Sequence, residues 1–102
     1  MLRDDANVDI VIHDFTMLAR DLDGHLYRTR AIGRQRPDGT WIGWLEFRPR
    51  GGEGLVRRTG RETTQATRLA LRYWALGLDE VYLEGALMRA PLETHHEARS
   101  SP

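Results

Sequence analysis

Side chains alternate between two faces with a period of two from Tyr27 to Pro49, and the alternation folds back on itself at Arg36-Pro37-Asp38-Gly39-Thr40. Proline at the first corner presets φ for a type I turn, Asp tolerates the second corner, and Gly supplies a left-handed residue, so the pattern predicts a three-residue hairpin loop. That turn pairs Arg36 with Thr40 and sorts the strands, about 26–36 and 40–48, into two faces. One reads Tyr27, Thr29, Ala31, Gly33 and Gln35 against Trp41, Gly43, Leu45 and Phe47, with no charge. The other reads Arg28, Arg30, Ile32, Arg34 and Arg36 against Ile42, Trp44, Glu46 and Arg48. Opposed Gly33 and Gly43 leave room for another backbone, so the uncharged face is expected to take a helix.

Around this hairpin the chain reads as an α+β domain. Val8, Val11, Ile12, Phe15, Leu18, Ala19 and Leu22 fall at helical spacing, which predicts an N-terminal helix over 5–22 with Asp5 or Asn7 as N-cap and Asp23-Gly24 as its stop. The β-branched run Ile10-Val11-Ile12 also permits a strand at 8–13 followed by a short helix capped by Asp14. Pro49 to Gly54 reads as a loop and Leu55 to Arg58 as a short third strand. A helix is predicted over 62–76, started by the capping-box spacing Thr59-Gly60-Arg61-Glu62 or by Thr63, with Ala66 and Ala70 over the glycine pair and Gly77-Leu78 as its C-cap. Val81 to Ala90 reads as a last strand, apolar on both faces and stopped by Pro91. The organisation expected is a helical segment over 1–25, a core domain over 26–91, and a disordered polar tail over 92–102.

A chain of 102 residues, 40% hydrophobic and 29% charged, has room for one modest core. No apolar run reaches the ~20 residues of a membrane span, and Met1-Leu2-Arg3-Asp4-Asp5 lacks a signal core. With no Cys there is no disulfide or thiolate chemistry, and the cytoplasm is the expected compartment. The net charge of zero hides segregation. Residues 26–78 hold eleven Arg against four acids, a balance of +7, while 1–25 and 79–102 stand at −4 and −3. All fifteen basic residues are Arg, a side chain suited to bidentate and stacking contacts with carboxylates and phosphates, although codon bias produces the same composition.

Catalytic patterns are missing. His13-Asp14 are neighbours that do not face each other on a helix, His25 stands alone, and His95-His96 lie in the polar tail. Gly51-Gly52-Glu53-Gly54 precedes a strand and cannot cradle phosphate at a helix N-terminus. No paired-carboxylate, HExxH or GxSxG pattern occurs. The expectation is a non-enzyme with no cofactor, no metal site and no small-molecule substrate. The charged hairpin face is the candidate site: Trp44, Ile32 and Ile42 ringed by Arg28, Arg30, Arg34, Arg36 and Arg48. Such a cluster resembles the centre and rim of a protein interface, including one between copies of the chain, or a stacking-plus-phosphate surface for RNA or DNA. Alternatively, the acidic N-terminal segment covers it.

The order hairpin, third strand, helix, strand resembles the β-β-β-α-β domain of HicB-type antitoxins, a partial RNase H-like fold, over about residues 26–90. The local likeness is Gly60 with Ala66 and Ala70, where that family carries Gly-x-Thr-x-x-x-Ala-x-x-x-Ala. Glu62 replaces the Thr, Pro49-Arg50-Gly51-Gly52 replaces the family's Pro-Asp-x-Pro-Gly stretch, and no DNA-binding segment follows. With an N-terminal helix counted, the order also resembles a double-stranded-RNA-binding domain, but Glu62-Thr63-Thr64-Gln65 stands where such domains carry basic residues. The first resemblance implies a small accessory or antitoxin-like protein that docks a protein partner.

Overall fold

In a computed structural model that describes residues 8–52 and 54–91, the Pro-Asp-Gly turn forms as its residues dictate. Gly39 takes φ 92°, and the Arg36 N–H donates to the Thr40 carbonyl at 2.7 Å. Asp38 Oδ1 accepts from both the Thr40 N–H and hydroxyl, and these bonds hold its carboxyl below the usual range. Strands β2 (Leu26–Gln35) and β3 (Trp41–Pro49) pair antiparallel in the expected register, Arg28 with Arg48, Arg30 with Glu46, Ile32 with Trp44, and Arg34 with Ile42.

The N-terminal helix expected over 5–22 is not present. Ile10–Arg20 is instead a strand, β1, antiparallel to β2 in the same sheet, so residues 10–20 belong to the core domain, and the short helix after Asp14 is absent too. The cause is the β-branched run Ile10-Val11-Ile12 together with the turn after it. Asp21 Oδ1 accepts the N–H groups of Asp23 and His25, and Gly24 takes φ 87°, so Asp23-Gly24 turns a hairpin where a helix stop was expected. Residues 1–7 and the tail over 92–102 lie outside the described residues.

β4 (Arg57–Arg58) and β5 (Thr63–Gln65) both pair with β3, giving a five-stranded antiparallel sheet. Helix α1 (Arg68–Leu76) therefore starts six residues later than its expected bound of 62, capped by Thr67, whose hydroxyl accepts from the Ala70 N–H. Thr59 and Glu62 serve the sheet instead. Leu45 N–H donates to Thr59 Oγ1 at 3.0 Å and Glu62 N–H to the Gly43 carbonyl at 2.8 Å, while β-branched Thr63 and Thr64 favour the extended backbone. Leu71, not Ala66 or Ala70, seats on the glycine pair. Gly77 ends α1 with φ −89°, without using glycine's left-handed freedom.

The expected last strand is a helix, α2 (Glu80–Arg89). Asp79 caps it by accepting from the Tyr82 N–H, and Leu83, Ala86, Leu87 and Ala90 form a buried stripe at helical spacing. Both helices pack on the uncharged sheet face, where Leu71, Ala75 and that stripe join Ile12, Phe15, Ala31, Leu45 and Phe47 in the core. The result is a two-layer α+β fold with five strands and two helices, in the order β-β-β-β-β-α-α. Among the described residues it closes on a helix where the HicB-type order has a strand, and no helix precedes the sheet as in a double-stranded-RNA-binding domain. Among the described residues no helix is long and apolar enough to cross a membrane.

A polar clasp fixes α2 to the sheet. The Glu62 carboxylate accepts from the Tyr82 hydroxyl and from Arg89 Nη1 at 3.0 Å. Burial pushes this carboxyl up, but the bonds from Arg89 and Tyr82 outweigh it and hold the group below the ordinary value of 4.5. A carboxyl depressed in the folded chain adds stability above its unfolded value, and this is lost as pH falls through the folded one. Glu62→Gln is therefore expected to flatten the acid limb of stability, narrowing the difference in urea midpoint between about pH 7 and about pH 3. An unchanged difference would show that the clasp does not set it.

Candidate binding face

Directly opposed residues share a face of a sheet, so the observed register brings the predicted residues together on the side away from the helices. Arg28, Arg30, Ile32 and Arg34 alternate along β2, with Arg36 next after it at the turn, and Ile42, Trp44, Glu46 and Arg48 along β3. Val11, Asp14 and Leu18 of β1 extend the face opposite Ile32, Arg30 and Arg28. Among the described residues neither helix crosses it. An antiparallel sheet can leave one side uncovered when polar side chains line it, as the arginines do here.

Arg28 and Arg48 are exposed and sit opposite one another, a like-charge pair that disfavours folding slightly. Arg30 and Arg36 are half-buried, and Arg48 lies on the buried Glu46 carboxylate, Nε to Oε1 at 3.0 Å. Arg34 Nε donates to Asp9 Oδ1 at 2.7 Å. Trp44 is covered within the chain, with 6% of its surface exposed, and this cover is not a helix over 8–22, since that segment lies beside β2 as a strand. The Arg34 and Arg58 guanidiniums stand over its rings at 5.5 and 5.6 Å, a cation–π arrangement on both counts.

Three contributors were missed in the sequence: Asp9, Arg58 and Arg61. Arg58 reaches the face because β4 pairs it with Glu46, and residues 59–61 then form a wall beside Trp44 on the way to β5. The wall closes a groove of about 210 Å³ lined by Arg34, Ile42, Trp44, Arg58, Gly60 and Arg61. No local pattern marks these residues, because each arrives from a different strand or loop.

A second polar cluster lies at the β1–β2 turn. His25 Nδ1 is 3.4 Å from Asp21 Oδ2, and the Tyr27 hydroxyl donates to that same oxygen while accepting from Arg57 Nε. Burial pushes the Asp21 carboxyl up, but the His25 and Asp23 N–H groups hold it below the ordinary range. A carboxylate, a histidine and a hydroxyl are thus within reach in an open hollow. Their order is wrong for nucleophilic catalysis: the carboxylate stands between imidazole and hydroxyl, whereas a base must itself face the nucleophile. The imidazole side chain is 71% exposed. Asp21, Asp23 and His25 also bring ligating atoms within 4.8 Å of one another, but Asp21 Oδ1 already serves the turn's N–H groups. His13 packs edge-on against Phe15, away from this cluster. The chain matches no family model, no curated protein and no solved structure.

Proposed function

We propose that this chain is a small non-catalytic interaction protein, an accessory subunit, that docks a protein partner through the outer face of its sheet. The supporting observation is that face itself: arginines laid over buried Ile32 and Trp44 and half-buried Ile42, with Arg28 and Arg48 exposed, on the side that neither helix covers. The HicB-type resemblance adds no support, because its closing strand is a helix here. Of the two protein readings, a different partner is favoured over a second copy. A two-fold dimer through this face would set Arg28, Arg34, Arg36 and Arg48 against the same charges, a repulsion that an acidic partner turns into attraction.

RNA or DNA is the second reading, favoured by the exposed, like-charged Arg28–Arg48 pair, which a phosphate would relieve. Both readings meet one experiment, affinity isolation of the tagged chain from its native host with and without nuclease. The expected result is a protein at one-to-one stoichiometry that survives nuclease and is lost from an Arg28→Glu/Arg36→Glu variant of unchanged melting temperature. Recovery of the chain alone would overturn the proposal. Nuclease-sensitive, steeply salt-dependent retention would replace it with the second reading.

A further inference from the structure

We infer that the outer side of the helical layer is a self-association surface, on which a second copy of this chain seats crosswise, α1 of each copy against α2 of the other. A helix packed on a sheet ordinarily turns polar residues outward. Both helices here turn an apolar stripe outward instead, opposite the buried residues that seat them on the sheet: Leu69, Tyr73 and Leu76 on α1, and Val81, Gly85 and Met88 on α2. The five large side chains of these stripes are between 47% and 79% exposed. Apolar surface gathered on one side of a domain marks an interaction site. The stripes share one spacing, four residues and then three, and have opposite relief. Large Tyr73 stands at the centre of one and Gly85 at the centre of the other.

Nothing among the described residues calls for glycine at position 85. It lies inside α2, it is exposed, its φ is not positive, and a Cβ there would meet nothing within 4 Å. Glycine weakens a helix relative to alanine, so the folded chain alone gains nothing from it. A ring seated there from outside does, because a side chain would hold it off. Charge selects a second copy as the occupant. α1 carries Arg68 and Arg72 and no acid, whereas α2 and its cap carry Asp79, Glu80 and Glu84. Arg68 lies over Trp41, and Arg89 of α2 is bound to Glu62, but exposed Arg72 and Glu80 have no ion-pair partner among the described residues. A two-fold pairing of α1 with itself sets Arg72 against Arg72, and one of α2 with itself sets Glu80 against Glu80. The crosswise two-fold instead brings basic α1 onto acidic α2 twice over, with Tyr73 on Gly85. The outer sheet face lies on the opposite side and stays free for a different partner. Helices of nine and ten residues fall short of the ~20–30 residues a side of a standard interface, so the dimer is weak and forms as concentration rises.

The test is sedimentation equilibrium of the full chain between about 1 µM and about 1 mM, with a thermal melt of each variant at the low end. The expected result is a monomer that passes to a dimer across that range. Gly85→Leu has open space to occupy and improves the helix, so it is expected to hold or raise the melting temperature while weakening the dimer about tenfold. Exposed Tyr73→Ser is expected to weaken it by a similar factor with the melt unchanged. Arg72→Glu is expected to weaken it too, and Glu80→Arg added to Arg72→Glu to restore it, a rescue that neither like-with-like pairing allows. A monomer throughout the range overturns the inference. A dimer that Gly85→Leu and Tyr73→Ser leave intact, or one lost instead from the Arg28→Glu/Arg36→Glu variant, overturns it in favour of another face.

Discussion

Trp44→Ala is expected to lower the stability of the isolated chain by about 3 kcal/mol, the low end of the ~3–5 kcal/mol seen when buried aromatics are truncated. The low end applies because part of its cover is arginine side chain, which can collapse into the space better than a packed helix can. The change removes nearly all the apolar surface that the chain shields at this position, with 6% exposed, and leaves Arg34 and Arg58 without the ring beneath them. Each lost cation–π contact adds on the order of 0.5–1 kcal/mol. Urea unfolding of the monomeric chain, followed at several protein concentrations, measures the loss. The sequence alone leaves open whether Trp44 is covered by its own chain or by a partner. A loss below about 1 kcal/mol, paired with failure to retain a partner, would identify Trp44 as an interface anchor rather than part of the fold. A large loss is compatible with the docking role, since the groove beside Trp44 is then built on a residue the fold requires.

The hairpin and both its faces were legible because one turn fixed the register, and a period of two assigns every other side chain once a single pair is known. The same rule failed on β1 for a physical reason. Its register against β2 slips between Val11 and His13 and again between Asp14 and Leu18. Each slip inserts residues that have no partner, so the inward residues Ile10, Ile12, Phe15 and Ala19 come at intervals of two, three and four. Intervals of three and four are those of a helix, and the bulges therefore wrote a helical pattern onto a strand. They also roughen the free edge of the sheet, which discourages pairing with another strand. Helix α2 failed in the opposite direction. Its buried stripe and its Asp79 cap were in the sequence, but exposed Val81 and Met88 made the segment look apolar all round. At the binding face, the residues of β2 and β3 could be listed from the turn, whereas Asp9, Arg58 and Arg61 arrive by tertiary contact and leave no local signal.

The contact between Gly43 and Leu71 carries the other large expected effect. Leu71 is fully buried where α1 meets the sheet, and its two methyl groups straddle the glycine pair. A Cβ on Gly43 would fall 2.6 Å from Leu71 Cδ1, and one on Gly33 would fall 2.6 Å from Cδ2 and 2.9 Å from Ile12 Cγ1. Real Cβ atoms do not approach so closely, so the Leu71 side chain, fully buried and with little room to turn, must give way. Gly43→Val is accordingly expected to destabilise by about 1–3 kcal/mol through overpacking. Leu71→Ala is expected to cost about 2–5 kcal/mol, since it leaves a cavity between two layers that cannot fully collapse. The two changes share one space, which makes their combination diagnostic. In the Leu71→Ala background the methyl of Gly43→Ala has room and fills part of the cavity, so Gly43→Ala should turn from destabilising to neutral or better. That sign change corresponds to a coupling in the range of about 0.5–3 kcal/mol for residues in contact. Denaturant unfolding of the two single variants and the double variant completes the cycle. Strict additivity would mean that Leu71 does not sit over the glycine pair, and that α1 crosses the sheet elsewhere.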